Sequence, residues 1–371
     1  MALSVNGKTH ELSKSMGLKE RTKNFFVSKL SELILKITNE KLITHLKTCR
    51  IVLNTDVNTN PVNINIKAWG QELAEKAYKK LESLSPPKST KNYNLTSKAS
   101  TQLDMESDWF LYWCNELKLA PLYHRKLWEL AFCLQVLFEA GVLKNNKEAK
   151  GIGFGCGKEP IGSYLASKKI KTVITDLETK LAKNKGWVQS NEHTSHIEDA
   201  FNPKIVSKNI FSQFSKHVFV DMNNIPKNLK TQEFDFCWSI CALEHLGSIE
   251  NGLKFIENSL KTLKPGGIAV HTTEFNYLQD DKTISYGPTV LFLKKHFVEL
   301  KKRCLKLGYE MLEPDFDVGC GVLDKYIDVP PFAGNNAIYK SNFKNYKPIQ
   351  LKLSVAQYPV TCFGIIIKKK Q

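Results

Sequence analysis

Apolar residues of the middle of the chain first fall into a helical rhythm. Leu127, Leu130, Ala131, Leu134, Leu137 and Phe138 follow the i, i+3, i+4, i+7 rule, and the pattern ends near Gly141. Short strand-like runs and helical runs then alternate. KGIGF (150–154), KTVIT (171–175), HVFV (217–220), FDFCWSI (234–240) and GIAVHTT (267–273) have the apolar, β-branched character of buried strands. A helix over 249–263 turns Leu253, Ile256, Leu260 and Leu263 inward, with Ser248 placed to cap it and Glu250 in its first turn. Lys264-Pro-Gly-Gly267 stops that helix and turns the chain into the next strand. A further helix covers about 291–307, and Tyr309–Asp315 and Thr361–Lys369 are the last strands. Alternation at this spacing predicts an α/β fold: a doubly wound, mostly parallel, seven-stranded sheet.

The region before it has a different texture. Asn24 to Leu46 reads as a helix through Phe25, Leu30, Leu33, Ile34 and Ile37, and Ala68 to Leu84 as a second, amphipathic one. Between them RIVLNTDVNTNPVNINI has the bias of strand or loop, and Ser83–Ser100, rich in Ser, Thr, Lys and Pro, reads as a linker. The expected organisation is therefore a mixed, mainly helical extension with its linker over 1–103 and one α/β domain over 104–371.

Charge changes the picture less than its size suggests. The 53 basic and 37 acidic residues leave +16, and residues 1–100 carry 17 Lys/Arg against 8 Asp/Glu. Such a balance suits nucleic acid or an anionic membrane surface. Yet the arginines are four, Arg21, Arg50, Arg125 and Arg303, and nucleic-acid readers favour Arg forks. A Lys- and Asn-heavy chain follows equally from AT-rich coding. Nucleic acid is thus a partner the charge allows but does not favour, and the basic extension is read as a helical cap, a subunit contact or a peripheral membrane contact. Nine scattered cysteines with no CxxC pair exclude a zinc ribbon and a disulfide scaffold, and fit a reducing cytoplasm. No apolar run approaches the roughly 18 residues of a spanning helix.

Candidate chemistry begins where the first strand ends, in Gly151-Ile-Gly-Phe-Gly-Cys-Gly157 followed by Lys158-Glu159-Pro160. Glycines there let the backbone turn tightly and approach a ligand. A phosphate loop is excluded by the absence of GxxxxGK[ST], and Glu159 spoils a dinucleotide fingerprint. Alone, the turn is equally a tight strand-to-helix connection. Asp176 ends the second strand, 19 residues after Gly157, where an acid can accept both ribose hydroxyls of an adenosine cofactor. Asp221 ends the third strand beside Met222, an acceptor next to an apolar wall. The fourth runs into Ser239-Ile-Cys-Ala-Leu-Glu-His245.

This ordered set resembles the class I S-adenosylmethionine-dependent methyltransferases, over about Trp109 to Lys369, and implies their Rossmann-like sheet. By that resemblance the Gly155-Cys156-Gly157 turn lies along the methionine part of the cofactor, Asp176 holds the ribose, Asp221 with Met222 holds the adenine, and Gly153 and Ser239 also belong to the cofactor site. One departure stands out: the family often has an acid two residues before its GxG turn, and here that residue is Gly153. GFGCGKEP, VDMNNIP (220–226), CALEHLGSIENGL (241–253), VHTTEFN (270–276), GPTVLF (287–292), LDKYIDVPPF (323–332) and YHRKLWEL (123–130) look like a bacterial-type subgroup found beside glycosyltransferases. That likeness implies O-methylation of a sugar, in a glycan or nucleotide sugar.

A sugar hydroxyl needs a base. His271, in the fifth strand with Glu274 beyond it, is favoured over His245. On a regular strand His271 and Glu274 point to opposite faces, and only a bend after Thr272 would unite them. A metal shared by those two is the weaker alternative, so no metal is expected. His124 and Arg125 form a basic cluster with Lys126 suited to a carboxylate, and Asn276, Asp324, Tyr326 and Asp328 offer acceptors and a stacking ring for a saccharide. Trp187 with Glu192-His193 is placed to close over the adenine. The alternatives are an RNA or other nucleic-acid methyltransferase using the basic extension, and a binding module without activity. The first lacks an (N/D)PP(Y/F) loop after the fourth strand, where the chain reads Ser239-Ile-Cys-Ala.

Overall fold

The computed structural model describes residues 61–144, 148–185, 192–330, 332 and 349–370. Two compact units are separated at Ile64/Asn65; the helix predicted over Asn24–Leu46 lies outside the described residues. Helix α1 (Pro61–Ser83) starts seven residues before the predicted Ala68. Proline suits a first helical position because its missing N–H has no partner to lose there, so the NINI stretch read as strand or loop is helical. The α1 residues Ala74, Tyr78 and Leu81 are buried in the larger apolar cluster.

Ser83–Ser100 does not behave as a free linker. Tyr93 and Leu95 donate their backbone amides to Glu139, at 3.0 and 2.9 Å. Ser97–Ala99 is strand β1, paired with the last strand of the sheet. Three small or polar residues make a strand that no hydrophobic pattern announces, because its burial comes from the neighbouring strand. Two short helices, α2 (Gln102–Met105) and α3 (Asp108–Glu116), lead to α4 (Arg125–Glu139).

The alternating units then follow: β2 (Lys150–Gly153), α5 (Ile161–Ser167), β3 (Lys171–Asp176), α6 (Thr179–Lys185), α7 (Lys208–Phe214), β4 (Ser215–Phe219), β5 (Phe234–Ser239), α8 (Ile249–Ser259), β6 (Leu263–Asn276) and α9 (Lys294–Lys306). Short strands β7 (Tyr309–Met311), β8 (Pro314–Asp315) and β9 (Leu353–Val355) precede β10 (Tyr358–Lys369). Ser248 caps α8 as predicted, accepting from the Asn251 amide. Lys264–Gly267 bulges out of β6, so that Phe234 pairs with Leu263 while Phe236 pairs with Ile268.

Sheet order is β4-β3-β2-β5-β6-β10-β1-β8. The first five strands are parallel and β10 runs antiparallel to β6. The sheet is α/β and mostly parallel at its centre, as predicted, but among the described residues it has ten strands, not seven. The difference lies on one edge: β9, β1 and β7 tile the outer side of β10, and β8 extends β1. Side chains alternate between two cores. Phe236, Trp238 and Val270 pack under α4 and α5, whereas Cys237, Ala269 and Phe275 pack under α8 and α9. No described helix is long and apolar enough to cross a membrane.

Candidate active site

Strand order reverses between β2 and β5, and ligands of such sheets bind over the strand ends at that point. A cavity of about 360 Å³ opens there. Its floor is the glycine turn. Gly155 and Gly157 have φ of +60° and +52°, a region that costs other L-residues energy. Space is equally restrictive, since a Cβ on Gly155 would come within 2.9 Å of both Ala242 and the Met222 sulfur, and one on Gly157 within 2.3 Å of the Glu192 carbonyl. Gly153 lies one step deeper and does not line the cavity; the ring of Trp238 crosses it 2.3 Å from where its Cβ would be.

Asp176, at the end of β3, is fixed by backbone amides: Gly157 (3.2 Å) and Thr194 (2.9 Å) on one oxygen, Leu177 (2.7 Å) on the other. A carboxylate has about four acceptor positions, which leaves capacity toward the cavity. Asp221 caps the turn Met222–Asn224 through the Asn223 amide. Val220, Met222 and Leu246 form an apolar wall beside these acids. Glu192 and His193 join the lining as expected for residues closing over it; Trp187 lies outside the described residues.

The far wall comes from the exit of β5. Cys241 holds a left-handed φ of +49°, and its amide donates to Thr272 Oγ1 at 3.1 Å. That turn swings Ala242, His245 and Leu246 to the rim. His245 Nδ1 lies 2.9 Å from the Pro288 carbonyl. A carbonyl only accepts, so Nδ1 carries the proton and Nε2 has the lone pair. Nε2 is 3.9 Å from Glu244 Oε1. That carboxylate is fully buried, its other oxygen accepts from Thr273, and Oε1 has no hydrogen-bond partner among the described residues.

His271 is not brought to the cavity. It is fully buried under α8, between the hydroxyls of Ser239 (2.8 Å to Nδ1) and Ser259 (3.1 Å to Nε2). Ser259 donates its own proton to the Ile256 carbonyl, so it accepts from Nε2–H, and Nδ1 accepts from Ser239. Both ring nitrogens are spent, and burial pushes the ring down to about 3. This corrects the sequence preference for His271 as base, and it places Ser239 behind the site, not on it. β6 stays regular through Asn276, so His271 and Glu274 do diverge.

Glu274 faces α4 and receives the Arg125 guanidinium through Nε and Nη2. Cys241, Glu244 and Glu274 bring potential ligand atoms within 4.8 Å of one another. The guanidinium already neutralises Glu274, and burial raises the Cys241 thiol well above its usual range, so the set is poorly suited to a cation. His124 caps α4, its Nδ1 accepting from the Lys126 amide, and burial pushes it down to about 4. Of the basic cluster, only Lys126 reaches the cavity.

The residues expected to bind a saccharide lie elsewhere. Asn276 holds the following loop through the Lys282 carbonyl. Asp324 accepts from the amides of Gln102 and Gly321 and lies 3.7 Å from Lys352. Tyr326 donates to Asp328, which pairs with Lys67 of α1. LDKYIDV is thus a buried clamp between α1 and the sheet edge. Its polar residues point at one another because burial demands partners.

One cavity residue carried a signal that sequence reading set aside. Glu159 stands in GFGCGKEP, where the sequence marks it only as a departure from a dinucleotide fingerprint. It lines the cavity and takes the Trp238 indole N–H. Desolvation pushes its carboxyl up to about 8.

Neither a family model nor a curated protein matches the chain. Among solved structures it is similar to the [4+2]-cyclase SpnF, at 15% identity over 74% of this chain and 98% of the other, with a TM-score of 0.41. A SAM-dependent methyltransferase from Aquifex aeolicus shares 16% identity over 63% and 88%, with a TM-score of 0.33. One from Clostridium acetobutylicum shares 12% over 65% and 90%, with a TM-score of 0.34.

Proposed function

We propose that the chain is a methyltransferase that uses S-adenosylmethionine to methylate a hydroxyl, with a sugar of a glycan or nucleotide sugar as acceptor. One observation carries the reading. A single cavity at the strand-order reversal joins a glycine turn, two strand-end acids flanking an apolar wall, and a histidine, His245, whose Nδ1–H is anchored on the Pro288 carbonyl. The first two suit a nucleoside; the last suits removal of a proton. The saccharide comes from the motif likeness.

In this reading the cofactor, when bound, supplies an activated methyl on a sulfonium, so the protein mainly aligns an acceptor and excludes water. Asp176 accepts the ribose hydroxyls, and its three amide donors keep it aimed. Val220, Met222 and Leu246 take the base. His245 would take up the acceptor's hydroxyl proton at Nε2, with Nδ1–H anchored on Pro288.

Calorimetric titration with S-adenosylmethionine and S-adenosylhomocysteine tests the reading. Micromolar binding is expected, followed by radiolabelled methyl transfer to nucleotide sugars or glycan extracts and none to RNA. A folded sample that binds neither compound sinks the proposal.

A further inference from the structure

Among the carboxylates of the described residues that line the cavity, Glu159 alone is held by neither a backbone amide nor a cation. Two donors hold it from behind, the indole of Trp238 on β5 and the thiol of Cys156 in the glycine turn. Its charged neighbours are acids, Glu129 on α4 and Asp176 on β3; Cys133 on α4 also faces it, as a thiol raised by burial. Among the described residues no Lys, Arg or His pairs with it. A carboxylate in that setting lacks a positive partner, and one from a ligand would supply it.

The neighbouring backbone explains why the acid stands here. At Gly153 the Trp238 ring fills the space of a side chain, so no acid can project from the end of β2. The same indole reaches across Gly153 to hold Glu159, six residues further on. Lys126 and Lys158 also border the cavity, and positive charge there suits a ligand that carries a carboxylate as well as an ammonium.

We propose that Glu159 receives the α-ammonium group of the cofactor's amino-acid tail. The inference rests on the methyltransferase reading and adds the residue that replaces the acid missing before the turn. A consequence follows from the carboxyl's position near 8. At pH 7 it is mostly protonated in the free protein, and an ammonium group binds the carboxylate form, so tail binding expels close to one proton.

The test compares S-adenosylhomocysteine with methylthioadenosine, which keeps the nucleoside and thioether but has no amino-acid tail. Titrations at pH 7 in two buffers of different ionisation enthalpy count protons. The expected result is release of nearly one proton with S-adenosylhomocysteine and almost none with methylthioadenosine. Glu159→Gln keeps the volume and an acceptor for Trp238. It should weaken S-adenosylhomocysteine by about tenfold or more, the scale of a charge-assisted hydrogen bond, with methylthioadenosine within about twofold. Equal weakening of both ligands, or of neither, overturns the assignment, as does proton release that survives in the variant. Should the variant fail to fold, the wild-type proton count decides alone. If the wild-type protein binds neither ligand, the methyltransferase reading itself falls, an outcome distinct from a failure confined to Glu159.

Discussion

The histidine on β6 separates a core role from a catalytic one by its pH dependence. His271 is neutral in the folded protein down to about 3, while in the unfolded chain it titrates near 6.5. A folded value below the unfolded one means that, as pH falls through 6.5, only the unfolded state takes up the proton. Stability from this residue is therefore complete above about 6.5 and is lost progressively down to about 3. Between pH 7.5 and 5.0 the loss integrates to about 2 kcal/mol, a sizeable part of a usual total of roughly 5–15 kcal/mol. His124, the half-buried cap of α4, and His296, on α9, are also pushed down to about 4, so the wild-type slope alone would not identify His271. The comparison with His271→Asn does, because the other histidines cancel in the difference. Urea unfolding at the two pH values should show a wild-type drop about 2 kcal/mol larger than that of the variant. The variant should also be less stable at pH 7.5 by about 2–4 kcal/mol, from the lost ring volume and an unpaired serine hydroxyl. Equal drops in both proteins would mean that His271 meets solvent in the native state, and the base assignment would have to be reopened.

Further outcomes follow from the same geometry. Asp176→Ala should weaken S-adenosylhomocysteine by tenfold or more in calorimetry, since it removes the ribose acceptor and frees the amides of Gly157 and Thr194; unchanged affinity would refute the ribose role. His245→Ala should lower kcat by about a hundredfold or more with cofactor affinity intact, whereas His271→Asn keeps most turnover at neutral pH; the reverse ranking would restore His271 as base. Gly157→Ala places a methyl group 2.3 Å from the Glu192 carbonyl at a φ of +52°, and should abolish cofactor binding while leaving a folded protein by circular dichroism. Chelator should leave the rate unchanged, because Arg125 holds Glu274; activity lost to chelator and restored by Mg²⁺ would contradict that.

The central sheet was legible because buried parallel strands are continuous apolar runs between turn residues. Asp176 and Asp221 were legible for a related reason: each ends such a run, and a strand's end is where this architecture opens. Ser97–Ala99 was not, since a three-residue strand takes its burial from Phe363 and Gly364, far along the chain. His271 misled because residue type suggests chemistry, while its two serine partners come from β5 and α8 and are invisible in one dimension. Asp324, Tyr326 and Asp328 misled similarly, their partners Gln102, Lys352 and Lys67 lying hundreds of residues away or on another element. Glu159 was in view, but only the crossing of Trp238 over Gly153 gives it a task.

The outer edge of β10 also sets the order in which the molecule can be made. During synthesis from the N-terminus, β1 emerges more than 250 residues before the strand it pairs with, and β6 waits some 80 residues for its antiparallel neighbour. Until residues 358–369 leave the ribosome, β6 is an open, apolar edge and β1 has only its two-residue pairing with β8. Completion of the sheet is then a late, nearly simultaneous closure of four pairings around one strand. Nascent chains of this protein should depend on a chaperone up to that moment, and a chain stalled before Tyr358 should be sensitive to protease on both sides of the sheet.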